Sequence, residues 1–233
     1  MTRTTGVLMA GALLCLGGIP AVTLAQTFAP RPPATQPFAR AQMFLEFNST
    51  DEDTGCHIRT DHGVGLGSLM VVAPNGKTIV SQTWTTRPPL GLTEMAVESA
   101  EPDTTTAVRS YPPGVYRFTG RTITGQRLAS SVTLSHALLP AAEITSPPDG
   151  ATAVPIVGAI AAWNPVPGAQ SYEIEFEEED GSGKLEMTLP ASSNRFGIPD
   201  GFLKPGTNYK LGVAPRNAEG NLTLATVEFQ TAP

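Results

Sequence analysis

Residues 48–63 read NSTDEDTGCHIRTDHG and gather carboxylates, imidazoles, a thiol and an amide, the groups from which metal sites are built. A calcium loop of the EF-hand kind needs carboxylates at its first, third and fifth positions and a glycine at its sixth. Counted from Asp51, Asp53 occupies the third position. Gly55 then falls at the fifth position and Cys56 at the sixth, so the register of such a loop fails.

A zinc site in the same stretch would use Cys56, His57, Asp61 and His62. The segment CHIRTD has the composition of a β-strand, and successive side chains on a strand point to opposite faces of the sheet. Cys56 and His57 therefore face opposite sides and do not converge on one ion without a bend. The spacing argues against zinc.

A polar turn is the favoured interpretation of residues 48–53. Asn and Asp side chains bond the backbone a few residues further on, which caps turns between strands. We expect Asn48, Asp51 and Asp53 to cap such a turn. A calcium site using Asp51 and Asp53 is the second interpretation.

Few other residues suggest catalysis. Glu94 and Glu98 are the one pair of carboxylates that could cleave a glycosidic bond, but no aromatic platform for a sugar flanks them. The nucleophile motif Gly-x-Ser-x-Gly and phosphate-binding glycine loops are absent from the sequence. Cys56 as a nucleophile would need a histidine across space, which no pattern supports. The protein is therefore predicted not to be an enzyme, with a hydrolase as the alternative.

The strongest charge cluster is the run EIEFEEED at residues 173–180. Such a cluster could attract cations or a basic partner. Acidic runs more often form a solvated face, and like charges on a strand also prevent sheets from pairing edge to edge. We interpret all of these carboxylates as a solvated face.

The net charge is −6 at pH 7, and residues 141–233 hold five basic and twelve acidic side chains. Residues 42–140 hold seven basic and nine acidic side chains. Summed in this way, no segment forms a basic patch that would neutralise phosphates, so nucleic-acid binding is disfavoured. Anionic membrane surfaces are disfavoured for the same reason.

The residue pattern at the start of the chain predicts an export signal. Arg3 precedes an apolar run from Val7 to Val22, and small residues follow it, so cleavage after residue 25 is predicted. Residues 26–41 are rich in proline and are expected to form an extended spacer. Export predicts a periplasmic or extracellular location. Cys56 is then the one cysteine left, so the mature protein is expected to fold without a disulfide.

From Met43 onward the chain is a series of short strand patterns broken by turn residues. Pro74-Asn75-Gly76 and Thr124-Gly125 predict two hairpin turns. The segment LGLTEMAVESAEPDTTTAVRS, residues 90–110, fits a strand about as well as a helical turn and is left open. The six strands predicted before residue 140 are MFLEFN, CHIRTD, SLMVVA, KTIVSQTW, VYRFTG and LASSVTLSH.

Residues 141–233 contain seven short strand patterns at the spacing of a two-sheet sandwich. Trp163 ends an early strand, and Tyr209 follows the corner Lys204-Pro205-Gly206. Asn217-Ala218-Glu219-Gly220 then turns into a closing strand. The order of these features resembles a fibronectin type III domain, which implies a core tryptophan and a tyrosine corner. The expected core anchors are Trp163, Tyr172, Ile174, Phe176, Tyr209, Leu211 and Val213.

The upstream region repeats this pattern, because Pro113-Gly114-Val115-Tyr116 also precedes a hairpin and an alternating strand. Residues 42–140 are therefore expected to form a second, divergent immunoglobulin-like sandwich. With NSTD at 48–51, GLTE at 91–94, ESAEP at 98–102 and GVYRFTG at 114–120, this region resembles an exported bacterial family of no assigned activity. That resemblance implies architecture and location but no reaction.

The predicted fold class is thus all-β, with two tandem immunoglobulin-like β-sandwiches, the second of fibronectin type III type. The domains are a signal peptide at 1–25, a spacer at 26–41, a β domain at 42–140 and a fibronectin type III domain at 141–233. The predicted role is an exported, non-catalytic module of the cell envelope or secreted fraction. Its expected partner is a protein or a polysaccharide. A calcium-stabilised adhesion module is the main alternative.

Overall fold

The computed structural model describes residues 34–84 and 92–233. The predicted signal peptide and residues 26–33 of the predicted spacer lie outside this part of the chain. Within it the backbone is almost entirely β-structure with one short helix, which confirms the all-β prediction. No helix among the described residues is long and apolar enough to cross a bilayer.

The first sandwich contains six strands and one helix, α1. Their bounds are β1 Arg40–Asn48, β2 Asp53–Val72, β3 Thr78–Thr83, β4 Leu92–Glu98, α1 Thr104–Ser110, β5 Gly114–Thr122 and β6 Arg127–Leu134. The predicted turn at Asn75 is confirmed, since Gly76 has φ +83° and its N–H donates to the Ala73 carbonyl at 2.9 Å. The predicted turn at Thr124-Gly125 is also confirmed, with Gly125 at φ +88°.

Strand β2 joins two predicted strands into one. CHIRTD and SLMVVA lie in a single 20-residue strand that changes partners along its length. Its first half pairs with β1 and β4, and its second half pairs with β3 and β5. The register shifts between Asp61 and Leu66, where Gly65 has φ +93°. Glycine at this point allows the strand to serve both sheets of the sandwich.

The segment 90–110 that sequence patterns left open contains both structures. Its first part is β4, and its second part is α1. The helix begins where it does because the Asp103 side chain accepts a hydrogen bond from the Thr106 N–H at 3.1 Å. Each interpretation was therefore correct for half of the segment.

The core of the first sandwich lies between the two halves of β2 and their partner strands. Met43, Leu69, Val71 and Phe118 are among its fully buried side chains. Tyr116 is also fully buried, and its hydroxyl donates to the Pro112 carbonyl at 2.9 Å. This hydrogen bond forms a second tyrosine corner, at the Pro-Gly-x-Tyr pattern that the two regions share.

The second sandwich consists of two facing sheets of three and four strands. One sheet has the order β12-β9-β7, and the facing strands have the order β11-β10-β13-β14. A short strand, β8, pairs in parallel with β14 and was not predicted. The bounds are β7 Ile144–Ser146, β8 Ala151–Val154, β9 Ile160–Trp163, β10 Ser171–Glu178, β11 Lys184–Pro190, β12 Arg195–Gly197, β13 Asn208–Arg216 and β14 Leu222–Thr231.

The predicted core anchors of the second sandwich are confirmed. All are at most 2% exposed: Trp163, Tyr172, Ile174, Phe176, Tyr209, Leu211 and Val213. The Tyr209 hydroxyl accepts a hydrogen bond from the Lys204 N–H at 3.0 Å, which completes the predicted tyrosine corner.

One member of the acidic run does not belong to the solvated face. Strand β10 alternates as predicted, with Glu173, Glu175 and Glu177 outward, but Glu178 falls on the inward phase and is 3% exposed. Its carboxylate binds Lys204 Nζ at 2.8 Å and also accepts from Ser182. These hydrogen bonds lower the pKa of Glu178. The interpretation of the whole run as solvent-facing was wrong at this residue, because strand phase outweighs residue type.

The two sandwiches share a single sheet. Strand β1 of the first pairs in parallel with β14 of the second, so that Glu46 lies opposite Leu222 and Phe47 opposite Thr223. The strand order therefore runs without a break as β11-β10-β13-β14-β1-β2-β5-β6. We call the β1–β14 pairing and the residues that pack around it the seam.

Candidate functional site at the seam

The predicted turn at 48–53 is present. Asn48 Oδ1 accepts hydrogen bonds from the N–H groups of Thr50 at 3.0 Å and Asp51 at 3.2 Å. Asn48 Nδ2 also donates to Asp51 Oδ2 at 2.8 Å. The turn links β1 to β2, and Asp51 Oδ2 lies 3.9 Å from Lys210 Nζ on the other side of the seam.

The calcium candidates are not both free for a ligand. Asp51 is held by the turn, whereas Asp53 begins β2 and has a buried Oδ1 without a hydrogen-bond partner in the described residues. No group of three or more His, Cys, Asp or Glu side chains in residues 34–84 and 92–233 is arranged to hold a metal ion. The calcium assignment to Asp51 and Asp53 stays a prediction.

The four zinc candidates do not converge. Cys56 lies in the core of the first sandwich at 2% exposure, and burial raises the pKa of its thiol to about 12. His57 lies on the opposite face of β2, as strand alternation predicted. Asp61 pairs with Arg40 at 2.9 Å, and His62 accepts only a long bond of 3.4 Å from the Val64 N–H.

The carboxylate pair considered for glycoside cleavage is not assembled either. Glu94 and Glu98 share one face of β4, but four residues of strand separate their Cα atoms by about 13 Å. Arg40 Nη2 holds Glu94 at 2.6 Å. Paired catalytic carboxyls lie roughly 5–9.5 Å apart, with their side chains converging.

The residues that the structure does bring together lie at the seam, and Asn221 fixes them. This side chain is 2% exposed, and both its oxygen and its nitrogen are hydrogen-bonded. Its Oδ1 accepts from the Leu45 N–H of β1 at 2.9 Å, and its Nδ2 donates to the carbonyls of Ser135 at 3.1 Å and Ala137 at 2.9 Å. Asn221 thus ties β1 and the segment after β6 to the hairpin between β13 and β14.

Neighbouring polar side chains reinforce this connection. Asn217 Nδ2 donates to the Ala137 carbonyl at 2.6 Å, and Thr223 Oγ1 donates to the Leu139 carbonyl at 2.8 Å. On the far side, the Ser49 N–H donates to the Leu224 carbonyl at 2.8 Å. The seam is therefore held by buried hydrogen bonds as well as by strand pairing.

Phe44 is a buried aromatic side chain at the seam, where it packs with Ala214 and Leu222. It stands opposite His57 in the β1–β2 register, and their rings stack with centroids 4.9 Å apart. The Arg216 guanidinium lies over the Phe44 ring at 4.7 Å and that of Arg59 at 5.4 Å. Arg216 also forms an ion pair with Glu173. A cation above a ring is attracted by the negative charge of its face.

Beside this ring, the imidazole of His57 approaches the carboxylates of Glu46 and Glu98 without a direct hydrogen bond to either. His57 Nε2 is 3.8 Å from Glu46 Oε2 and 3.8 Å from Glu98 Oε1. The nitrogen is buried and has no hydrogen-bond partner in the described residues. A Cβ at Gly55 would lie 3.5 Å from this nitrogen and 3.4 Å from Glu101 Cγ, at ordinary van der Waals contact.

The pKa values of Glu46 and His57 shift in opposite directions. Burial raises the pKa of Glu46 to about 7, and the carboxylates of Glu173 and Glu98 add to this. Burial lowers the pKa of His57, which Glu98 opposes and Arg59 strengthens. A pKa of about 7 places the titration of the Glu46 carboxyl near neutral pH.

A shallow cavity of about 230 Å³ opens beside this cluster on the shared sheet. Its walls come from both sandwiches and include Glu46, Arg59, Glu175, Ala214 and Leu224. Its charged groups can bind and release a proton and can form ion pairs with a ligand.

Comparisons with known proteins find similarity to solved structures of fibronectin type III domains. No family model matches the chain, and no curated protein sequence matches it. Solved structures similar to it include the FN1-FN3 domains of chicken CNTN1, at 12% identity and a TM-score of 0.35, over 86% of this chain and 66% of that one.

Two further solved structures are a two-domain fibronectin type III segment from chicken tenascin and the fibronectin(III)-like modules of CbhA from Clostridium thermocellum. Both are 12% identical, with TM-scores of 0.32 and 0.33. They are matched over 82% and 87% of this chain and 98% and 92% of their own.

Proposed function

We propose that this protein is an exported, non-catalytic interaction module of the cell envelope or secreted fraction. Its parts are a signal peptide at 1–25, a spacer at 26–41, an immunoglobulin-like domain at 42–140 and a fibronectin type III domain at 141–233. The last residues of the spacer join the first sandwich, because Phe38 is buried in its core and β1 begins at Arg40. Its partner is a protein or a polysaccharide. The export step is supported by the basic and apolar pattern of the first 25 residues.

The observation that carries this proposal is the seam. Two sandwiches that share one sheet and bury Asn221 between them hold their surfaces in a fixed arrangement. A partner that binds a preorganised surface does not have to order it, so less conformational entropy is lost on binding. A catalytic function has no need of this long joined sheet, whereas a binding surface gains from it.

The positions of the reactive side chains also support a non-catalytic role. Cys56 is sealed in a core, and Glu94 is neutralised by Arg40. Glu178, the most buried carboxylate of the acidic run, holds the tyrosine corner through Lys204. Cys56 and Glu178 are thus buried where a substrate does not reach.

The test is binding without turnover. Residues 26–233 would be immobilised and exposed to envelope and secreted fractions of the source cells, and retained material would be titrated against fresh protein. We expect saturable, reversible binding, with the retained protein or polysaccharide recovered at unchanged mass. Cleaved products whose yield disappears in a Glu98→Gln or His57→Gln variant would show an enzyme and overturn the proposal.

A calcium-stabilised form of the same module is the second candidate, favoured by the buried and unpartnered Oδ1 of Asp53. Calcium bound there would stabilise the folded state by mass action. The melting temperature should then rise with added Ca²⁺ and fall with a chelator, and Asp53→Asn should remove the response. If a chelator leaves the melting curve unchanged, the calcium-stabilised candidate is refuted.

A further inference from the structure

Charge is strongly segregated within the first sandwich. Residues 62–84 and 104–142 contain no Asp or Glu, although the chain has 21 of them. The two segments supply the second half of β2, β3, α1, β5 and β6. Their basic residues are Lys77, Arg109, Arg117, Arg121 and Arg127. A charge sum over residues 42–140 conceals this, because all of the acids lie outside these two segments.

Three of these arginines share one surface. In β5 the side chains of Tyr116 and Phe118 point into the core, so Arg117 and Arg121 point out to solvent. Arg127 of β6 lies directly opposite Arg121 in the strand register. We call the outer surface of the four strands β3, second half of β2, β5 and β6 the arginine face.

Small and hydroxyl-bearing side chains lie between the arginines. The register places Ser81, Met70, Thr119 and Ala129 in one row across the four strands. The row on one side of it ends in Arg121 and Arg127, and the row on the other contains Arg117. An open groove of about 420 Å³ lies between the middle row and the row that contains Arg121 and Arg127.

The positive charge of this face is not neutralised within the described residues. Arg117, Arg121 and Arg127 form no ion pair there, whereas Arg40 and Arg216 elsewhere in the chain each do. The protein contact of the Arg121 guanidinium is one hydrogen bond from Nη1 to the Gly125 carbonyl, at 3.2 Å. A guanidinium presents several N–H donors in a planar fork that fits a carboxylate.

We propose that the arginine face binds an anionic polysaccharide that carries carboxylate groups. This inference rests on the proposed function as an interaction module and names its partner. Arg117 and Arg121 are four residues apart on β5, so their Cα atoms are separated by about 13 Å. Arg121 and Arg127 line the groove and Arg117 lies beyond it on the same face, a spread that fits charges distributed on an extended polymer better than one small anion.

The side chains between the arginines favour a polysaccharide over a nucleic acid. Serine and threonine hydroxyls can donate to and accept from sugar hydroxyls. No aromatic side chain of the described residues lies on this face, and single-stranded nucleic acids are bound largely by stacking their bases on aromatic rings. Carboxylates and hydroxyls along a sugar chain are matched by the groups present.

The test uses residues 26–233 with polygalacturonate as the acidic polymer and dextran as the neutral one. We expect saturable binding of polygalacturonate at low ionic strength, weakened by added salt because exposed charges are screened. Dextran should not bind. The double variant R121A/R127A should lose about tenfold or more in affinity, since it removes two charge-assisted contacts.

Arg195 provides a matched control, because it is an exposed arginine on β12 of the second sandwich. R195A should bind polygalacturonate like the unchanged protein. R121K keeps the charge but not the fork, and it should bind more weakly than the unchanged protein and more tightly than R121A. All substituted positions are exposed, so circular dichroism should show unchanged folding.

Three other outcomes would show that the arginine face binds something else and would overturn the inference. Equal affinity for polyglutamate would show that charge alone is recognised, and preference for DNA would point to a nucleic acid. Loss of self-association in R121A/R127A, with no polymer bound, would assign the face to a second copy of the chain. Each of these outcomes is compatible with the proposed function as an interaction module. That function is refuted only if the binding test with envelope and secreted fractions shows turnover.

Discussion

Replacing Asn221 with alanine tests how strongly the seam joins the two sandwiches. The substitution removes the acceptor for the Leu45 N–H and both donors to the segment after β6, at a site that is 2% exposed. The Leu45 N–H would remain buried without a partner, as would the Ser135 carbonyl. The Ala137 carbonyl would keep its bond from Asn217 Nδ2.

The expected cost follows from these bonds. An unsatisfied buried donor costs about 1–3 kcal/mol, and a lost neutral hydrogen bond costs about 1 kcal/mol. Together they predict that N221A lowers the free energy of unfolding by about 2–4 kcal/mol. For a protein of this size, this corresponds to a decrease of roughly 4–16 °C in melting temperature.

The assay is chemical denaturation followed by tryptophan fluorescence and circular dichroism. Asn208→Ala is the matched control, since Asn208 is exposed and donates one hydrogen bond to Glu179 at 2.6 Å. It should change stability by less than about 0.5 kcal/mol. If N221A is as stable as N208A, the hydrogen bonds of Asn221 do not hold the seam and the reasoning fails.

Four further predictions concern other buried groups. Because the pKa of Glu46 is raised to about 7 in the folded protein, the stability it contributes is present below pH 4.5 and is lost as pH rises through 7. Glu46→Gln should remove this loss and increase stability at pH 8 by roughly 3 kcal/mol at most, measured by denaturation from pH 5 to 8. The pKa of His57 is lowered, so the effect of pH on its contribution to stability has the opposite sign. That contribution is lost as pH falls below 6.5, and His57→Gln should remove the loss. A stability profile that is unchanged by E46Q would show that the carboxyl is not perturbed. Tyr116→Phe and Tyr209→Phe should each cost about 1 kcal/mol by denaturation, because each removes a corner hydrogen bond; two neutral variants would refute the role of the corners. Cys56 should not react with a thiol reagent at pH 8 until the protein unfolds, since burial raises its pKa to about 12; rapid labelling of the native protein would contradict its placement in the core.

The strands and corners could be predicted because their signals are local. The alternation of Tyr172, Ile174 and Phe176 with glutamates sets the phase of β10, and Tyr209 follows its Pro-Gly corner by a few residues. The same logic found Tyr116. Each pattern spans about ten residues, so one sequence is enough to recognise it.

The seam could not be predicted because its partners are far apart in sequence. Leu45 and Asn221 are 176 residues apart, and nothing in either segment identifies the other. Parallel pairing also leaves no hairpin turn as a signal. Asn217 and Asn221 read as ordinary hairpin residues, and only burial against Ala137 reveals that they connect the sandwiches.

The candidate site was missed for a related reason. His57 was examined as a metal ligand with its sequence neighbour Cys56, although strand alternation separates the two. Its true neighbours are Phe44, opposite it on β1, and Glu98, opposite it on β4. Charge segregation was hidden in the same way, since sums over a segment ignore which face of the sheet each side chain occupies.

The most direct test of the shared sheet is an NMR measurement of backbone proton contacts across the seam. We predict nuclear Overhauser effects between residues 46–48 of β1 and residues 222–224 of β14, in the parallel register that places Phe47 opposite Thr223. Absence of these contacts, with amides of the two sandwiches tumbling independently, would contradict the account.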